Sequence, residues 1–568
     1  MTLSGAEILL RCLLAEGTKK IFGYPGGAIM DVFNAMYDHR QDFDNILVRH
    51  EQGAIHAAQG YARVSGEPGV VVVTSGPGAT NVITGIADAN IDSTPLVVVT
   101  GQVGAPALGT DAFQETDFIG MTLPISKWSY QIRRAEDVRW AVARAFYLAR
   151  TGRPGPVVLD FAKNAQIATA EWDDAYEPCT FIRSYVPVPT PDTDNLWQAV
   201  QLINAARRPF AILGQGVVLS GAEPEFLAMV RKTGIPFGAT LLGLSAAPSD
   251  MPGYLGMIGM HGSVAANKMQ QQADLIVVVG CRFADRITGP VAGYAPHAKI
   301  VHIDIDPSEL GKNVRADVPI CGDAREVLAR LLPHLEERDH SAWLAEFDFY
   351  RETERRKVID PEVHPAGGPL HMGEVIDKVA EVGREEAIVV TDVGQNQMFS
   401  ARYSRFRRSR SFLSSGGMGT MGFGLPAAIG AKMAAPDREV VVFVGDGGIQ
   451  MTLQELGTVM QERTAVKVVI FDNTWLGNVR QWQELFFAKR YSQTRLLSPD
   501  YLKIAEAYGI RARRLTDRAE LDDAVREMMA AEEPYILHVC TEEENMVYPM
   551  VPPGQPIDHV LLSRTEKI

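Results

Sequence analysis

The chain has 568 residues, too many for one hydrophobic core and enough for three or four domains. Its 46% hydrophobic and 22% charged residues are the balance of a folded globular protein and exclude extended disorder. A formal net charge of −14 excludes a general nucleic-acid binder, which needs a basic footprint; five scattered cysteines without a CxxC exclude a disulfide frame or zinc site and suit reduced cytosolic thiols.

In chain order, the sequence enters a helical pattern at Leu3 to Leu14 without the basic start, apolar core and cleavage site of a leader, so no signal or transit peptide is expected. No apolar run reaches the roughly 18 residues that a membrane helix needs. Short apolar strands then alternate with helical stretches, at Val70 to Thr74, Leu96 to Thr100, Val157 to Phe161, Phe210 to Leu213, Leu275 to Gly280, Ile300 to Ile305, Ala387 to Asp392, Val440 to Val444, Val466 to Phe471 and Tyr535 to Val539. This alternation predicts an α/β chain of parallel sheets with helices on both faces, and more strands than one ordinary sheet holds. A proline-rich linker at 185–194 and a second break at 358–369, after a charged helix Trp343 to Lys357, divide it into domains at 1–180, 190–345 and 365–568.

The first segment carries three glycine-containing turns: Tyr24-Pro25-Gly26-Gly27, Arg49 to Ala54, and Thr74 to Asn81. Glu51 stands at the head of a small-residue helix that should bury it, and a buried carboxyl can share a proton with a ligand. The plainer alternative is a helix N-terminal Glu satisfying the dipole. The middle segment has Gly214-Gln215-Gly216, Gly259 to Gly262, Gly280 to Arg286 and His302 to Asp306, a set that suits a pyrophosphate but is weak by itself.

In the last segment, Val440 to Val444 ends in Gly445-Asp446-Gly447-Gly448, and after a helix the next strand ends at Asp472-Asn473. Both strand ends of such a βαβ unit open on the same sheet edge, so Asp446 and Asn473 can converge. A carboxylate, an amide oxygen and close-approaching glycines suit a Mg²⁺ carrying a diphosphate; the alternative is a turn with a solvated Asp.

The GDG with its following Asn resembles the signature of thiamine diphosphate enzymes. RHEQGA, SGPGATN, GRPGPVVLD, TDVGQNQM, SGGMGTMGFGLPAAIGA and VYPMVPPG together resemble the acetohydroxyacid synthases, also called acetolactate synthases, over essentially the whole chain. The resemblance implies three doubly wound parallel-sheet domains of thiamine diphosphate-binding fold: pyrimidine-binding, FAD-binding in type, and diphosphate-binding. It implies Mg²⁺ on Asp446, Asn473 and the main-chain carbonyl of Trp475, and a catalytic set of Glu51, Gly27, Gln114, Lys163, Arg286 and Trp482, with Phe113 beside it. Arg286 would take the second substrate's carboxylate and Trp482 would shape the pocket for the extra methylene of 2-ketobutyrate. Thiamine diphosphate contacts fall on Tyr24, Pro25, Thr74, Pro77, Asn81, Val393, Gly394, Gln395, Asn396, Gly419, Met421, Gly447 and Gly448. Those to FAD fall on Arg153, Gly214, Gly216, Thr240, Leu241, Met260, His261, Gly280, Arg282, Asp304 and Asp323.

The implied reaction joins two pyruvates into 2-acetolactate, or pyruvate and 2-ketobutyrate into 2-aceto-2-hydroxybutyrate, with loss of CO₂, in branched-chain amino acid biosynthesis in the cytoplasm. The implied assembly is a homodimer at minimum, or a tetramer, with a separate small regulatory subunit as a candidate partner. Four positions depart from the family pattern: Ala284 for Asp, Asn396 for His, Gly448 for Ser and Asn478 for Met or Leu. Rival readings are a flavin-free catabolic synthase, a pyruvate oxidase and a non-catalytic paralogue. Arg286, Trp482 and the GMHG stretch speak against the first two, and Glu51 against the third.

Overall fold

The computed structural model describes residues 1–173 and 175–568, and its described strands build three six-stranded parallel sheets. The first runs Asp44–Leu47, Lys20–Tyr24, Gly69–Val73, Leu96–Gln102, Pro156–Ala162, Trp128–Ile132. The second runs Tyr254–Met257, Phe237–Ala239, Pro209–Leu213, Leu275–Val279, Lys299–Asp304, Val318–Cys321. The third runs Phe412–Leu413, Ile388–Thr391, Val440–Gly445, Val466–Asp472, Tyr535–Cys540, Arg511–Leu515. The first and third sheets share one strand order, which makes them structural repeats. The middle sheet has instead the order of dinucleotide-binding folds, whose switch point lies between Pro209–Leu213 and Leu275–Val279.

Why the central strands are so readable is plain from their surroundings. Gly69–Val73, Leu96–Gln102, Leu275–Val279 and Val466–Asp472 are buried at every position, so helices on both faces reward β-branched residues throughout. The edge strands Asp44–Leu47, Trp128–Ile132 and Arg511–Leu515 are half-exposed, carry no apolar run, and are not expected from sequence.

Other expectations need correction. The opening is a short strand, Thr2–Ser4, paired antiparallel with Thr169–Glu171; the helix begins only at Gly5, where Ser4 caps it by accepting from the Glu7 N–H. The expected linker at 185–194 is free of helix and strand as far as Asp192, which caps helix Thr193–Ala205, so its end comes two residues early. The single charged helix expected before the second break is broken into Ser341–Ala345 and Asp348–Glu354, then continues through a π turn, Arg355–Ile359, and Asp360–Val363, so helical structure enters the expected break. Among the described residues no helix is long and apolar enough to cross a membrane.

Helix Glu51–Ser65 is the first domain's contact with the third. It packs on Gly424–Ala434 so closely that a Cβ at Gly60 or Gly430 would collide with the main chain of Ala427 or Ala57. The small residues after Glu51 therefore serve helix-on-helix approach. Buried Glu455 fastens the junction by accepting the Arg49 N–H at 3.1 and 3.2 Å and the Thr458 hydroxyl at 2.7 Å.

Candidate active site

At the first sheet's C-terminal edge, Glu51 opens its helix and is half-buried, not enclosed as its small neighbours suggest. Its Oε2 accepts from Asn81 Nδ2 at 2.9 Å, and its Oε1 is 3.5 Å from where a Cβ would stand on Gly78. Thr74 lies against both Gly26 and Gly78, so Tyr24-Pro25-Gly26-Gly27 and the Pro77 turn meet over one threonine. Lys163 Nζ donates to the Gly27 carbonyl at 2.8 Å, and Gln114, at φ 61°, packs on Gly76. Eight of the expected residues, Tyr24, Pro25, Gly27, Glu51, Thr74, Pro77, Asn81 and Lys163, are thus brought together through Gly26, Thr74 and Gly78, and Gln114 joins them through Gly76. Phe113 stands out from this edge, 88% exposed.

The third sheet supplies an oxygen-rich cleft. Asp446 and Asn473 do meet at neighbouring strand ends, paired in the register Gly445 with Phe471. Asp446 is buried, with Ser498 Oγ 3.4 Å from Oδ2 and the Tyr501 hydroxyl donating to its main-chain carbonyl. Asn473 Nδ2 donates to Gln395 Oε1, leaving Oδ1 to accept the Trp475 N–H at 3.2 Å. At Gly447 a Cβ would lie 2.7 Å from the end of the Leu476 side chain and 3.7 Å from the Met421 methyl, which brings Met421 to the Gly445–Gly448 turn. At Gly448 a Cβ would lie 2.5 Å from Asp392 Oδ1, so this departure accommodates a buried carboxylate.

Asp392 is a functional residue that sequence reasoning misses. Burial pushes its carboxyl up, opposed by the Gly424, Val393 and Gly422 N–H groups, so it braces the turn that carries Gly419 (φ 67°) and Met421. Gly394, at φ 143°, opens the helix bearing Gln395 and Asn396. The Asn396 amide donates to the Phe443 carbonyl at 2.9 Å and is spent on the scaffold. Asp472 is a second unforeseen carboxylate: against burial, His538 at 3.0 Å and Ser498 at 2.9 Å hold it below the usual range. Burial first, and Asp472 second, push Asp446 up to about 7.

Between the domains lies a cavity of about 1590 Å³. Arg153, Gly216, Thr240, Leu241, Met260, His261, Gly280, Arg282, Asp304 and Asp323 line it, and so do Val393, Gly419, Arg286 and Trp482. Gly214 does not; it packs on Gly280, where a Cβ would strike the main chain. The C-terminal segment stands behind this lining, with the Val551 N–H donating to the Met260 carbonyl at 2.8 Å. Glu51 and Asp446 are absent from this lining.

Sequence comparison joins these observations. Family models described as the N-terminal TPP binding, central and C-terminal TPP binding domains of thiamine pyrophosphate enzymes match residues 3–121, 196–331 and 392–539. The chain is 44% identical over 570 residues to a probable acetolactate synthase large subunit of Methanocaldococcus jannaschii, covering 98% of this chain and 95% of that one. It is 42% identical over 556 residues to the acetolactate synthase isozyme 2 large subunit of Escherichia coli K12, covering 97% and 98%. The chain belongs to the acetolactate synthase large-subunit family.

For an acetolactate synthase of this family the residues must accept a thiamine diphosphate and its metal, and the donor set fits. Asp446 is a buried carboxylate that makes no ion pair among the described residues; it lies at the strand end beside the one that carries Asn473 and leads into a glycine turn. Such a carboxyl must lose its proton to bind Mg²⁺. Its pKa is raised on folding, so the metal-free native chain holds more protons than the unfolded chain from about pH 4 to 7, and this site lowers stability as pH rises through that window. Added Mg²⁺ should therefore raise the melting temperature more at pH 8 than at pH 6. Equal shifts at the two pH values would remove Asp446 from the metal's ligands.

The middle domain fits a dinucleotide by strand order and by charge. The Arg282 side chain makes no ion pair among the described residues and lines the cavity, ready for a pyrophosphate. Burial pushes Asp304 up to about 6, which leaves it ionised at neutral pH, and a carboxylate there would suit a ribose hydroxyl. Arg153 is already bound by Asp306 and Glu309, and Asp323 caps helix Ala324–Leu331. Ala284 also lines the cavity and offers no polar group there.

Proposed function

We propose that the chain is the catalytic subunit of an acetolactate synthase, condensing two pyruvates, or pyruvate with 2-ketobutyrate, in branched-chain amino acid biosynthesis in the cytoplasm. The observation that carries this is the division of one constellation over two sheets: Glu51 paired with Asn81 on the first, Asp446 beside Asn473 on the third, and Arg286 with Trp482 on the intervening cavity. Thiamine diphosphate, when bound, supplies the nucleophilic carbon and the electron sink for decarboxylation.

The chain's own residues do the rest. Glu51 holds a proton against the aminopyrimidine, and Asn81 keeps the carboxylate turned toward it. Asp446, Asn473 and the Trp475 carbonyl would hold Mg²⁺. Met421, set by the Asp392-braced turn, would support the cofactor from the third domain. Gly27, Lys163 and Gln114 edge the site from the first domain. Arg286 is 63% exposed at its side chain and, among the described residues, pairs only with its neighbour Asp285, which leaves its planar fork for the acceptor's carboxylate. Trp482, edge-on to Phe486, flanks the acceptor's alkyl end; one methylene there is worth about 1–3 kcal/mol, a bias and not an exclusion. FAD would lie along Arg153, Gly216, Thr240, Leu241, Met260, His261, Gly280, Arg282, Asp304 and Asp323, with Gly214 acting through Gly280. The balanced condensation moves no electrons to a third party, so no step is assigned to the flavin.

A second subunit completes the site. Phe113 at 88% and Leu497 at 92% exposure project near the two half-sites, and a homodimer would set the first domain of one chain against the third of the other. A tetramer and a small regulatory subunit are further assemblies open to this surface. The deciding assay is turnover of pyruvate with Mg²⁺ and thiamine diphosphate, with and without FAD, reading 2-acetolactate. We expect product that depends on bound or added FAD. Product without flavin would place the chain with flavin-free synthases, and acetate or peroxide instead would overturn the synthase reading.

A further inference from the structure

Asn478 is the second residue of helix Gly477–Phe486 and lines the central cavity one turn before Trp482. Residues four apart share a helix face, so the amide and the indole belong to one wall. The lining it shares is mixed, with Val393, Val479, Trp482 and Phe486 beside Arg286 and Gln483. Asn478 Oδ1 is nevertheless buried without a hydrogen-bond partner. A buried amide oxygen left unpaired is costly, and native structures that keep one usually reserve it for a ligand or water.

Building on the synthase reading above, we propose that Asn478 tunes the acceptor site for a 2-oxo acid with a hydroxyl on C3, such as 3-hydroxypyruvate, in preference to 2-ketobutyrate. With the acceptor's carboxylate on Arg286 and its C3 substituent toward Trp482, that substituent faces the Asn478 amide. A C3 hydroxyl can donate to Oδ1, and it also serves if the amide is turned to present its N–H. The methyl of 2-ketobutyrate leaves the oxygen unpaired. A site that hydrogen-bonds a substrate hydroxyl discriminates against the analogue lacking it much more strongly than an apolar wall discriminates by size.

The chemistry balances without an oxidant or reductant. The C1–C2 bond of pyruvate breaks and CO₂ leaves; C2 of that pyruvate bonds to the acceptor's carbonyl carbon; the carbonyl oxygen takes up one proton. The product is a 2-acetyl-2,3-dihydroxy acid in place of 2-aceto-2-hydroxybutyrate.

The test is a competition: ¹³C-labelled pyruvate as donor, equal 3-hydroxypyruvate and 2-ketobutyrate as acceptors, and the two products compared by mass spectrometry. The wild-type holoenzyme should favour 3-hydroxypyruvate. Asn478→Leu, close in volume and apolar, should move the product ratio toward 2-ketobutyrate by at least about tenfold, the lower bound set by one neutral hydrogen bond. Because both products form in one reaction, a general loss of activity cancels. If the leucine variant does not fold, Asn478→Ala removes the amide without adding bulk and should shift the ratio the same way. A wild-type ratio in favour of 2-ketobutyrate, or a ratio that neither variant moves, overturns the proposal. Failure to form 2-acetolactate from pyruvate alone overturns the synthase reading itself.

Discussion

Glu51→Gln should lower kcat/KM for 2-acetolactate formation by about 10²–10⁴-fold, the range for removing a positioned proton-transfer group. Glutamine keeps the size of the side chain and can still accept from Asn81 Nδ2, so the helix start and the thermal midpoint should survive. What it loses is the carboxyl proton exchange with the cofactor's ring. Cofactor binding measured by calorimetry separates the two effects: affinity should change little while turnover collapses. Near wild-type turnover would assign Glu51 to capping its own helix, the plainer role open to it.

Asp446→Ala should weaken Mg²⁺ activation by more than about 100-fold, since loss of a direct carboxylate ligand exceeds the penalty usual for an outer-shell partner. Combined with Glu51→Gln, this variant tests the assembly. Each alone should be inactive. Co-expressed, half the dimers pair unlike chains, and if sites form across the two-fold each such dimer holds one intact site, for about a quarter of wild-type activity. Sites contained within one chain would show no recovery. The exposure of Phe113 and the absence of Glu51 and Asp446 from the central cavity both favour the first outcome.

Much of the fold and of the site is legible in the amino-acid sequence. Val440–Gly445 and Val466–Asp472 announce themselves because a strand buried on both faces must be apolar throughout, and the residues just past such strands must lie at one sheet edge. That geometry puts Asp446 beside Asn473 from spacing alone. It cannot show that Asp392, some thirty positions back in the chain, holds two main-chain N–H groups, those of Gly422 and Gly424, in the turn carrying Met421, because hydrogen bonds to a distant backbone leave no periodic trace.

Edge strands such as Arg511–Leu515 escape for the opposite reason: half-exposed, they mix charged and apolar residues and resemble loops. The alanine and glycine run after Glu51 suggests a buried carboxylate, whereas its small faces serve contact with Gly424–Ala434, a partner the local sequence does not name.

What the sequence by itself determined, then, is the succession of strands and glycine turns, the Mg²⁺-type pair Asp446 and Asn473, and the family those motifs resemble. Only the tertiary structure decided the strand orders that distinguish the middle sheet from its neighbours, the burial and the nearby Asp472 carboxylate that raise Asp446, the cavity shared by Arg286, Asn478 and Trp482, and the half-buried setting of Glu51. The physical reason is range. Strand burial and turn chemistry are written in neighbouring residues, while the field at a carboxylate and the walls of a cavity are set by side chains hundreds of positions apart, placed together only when the three sheets pack.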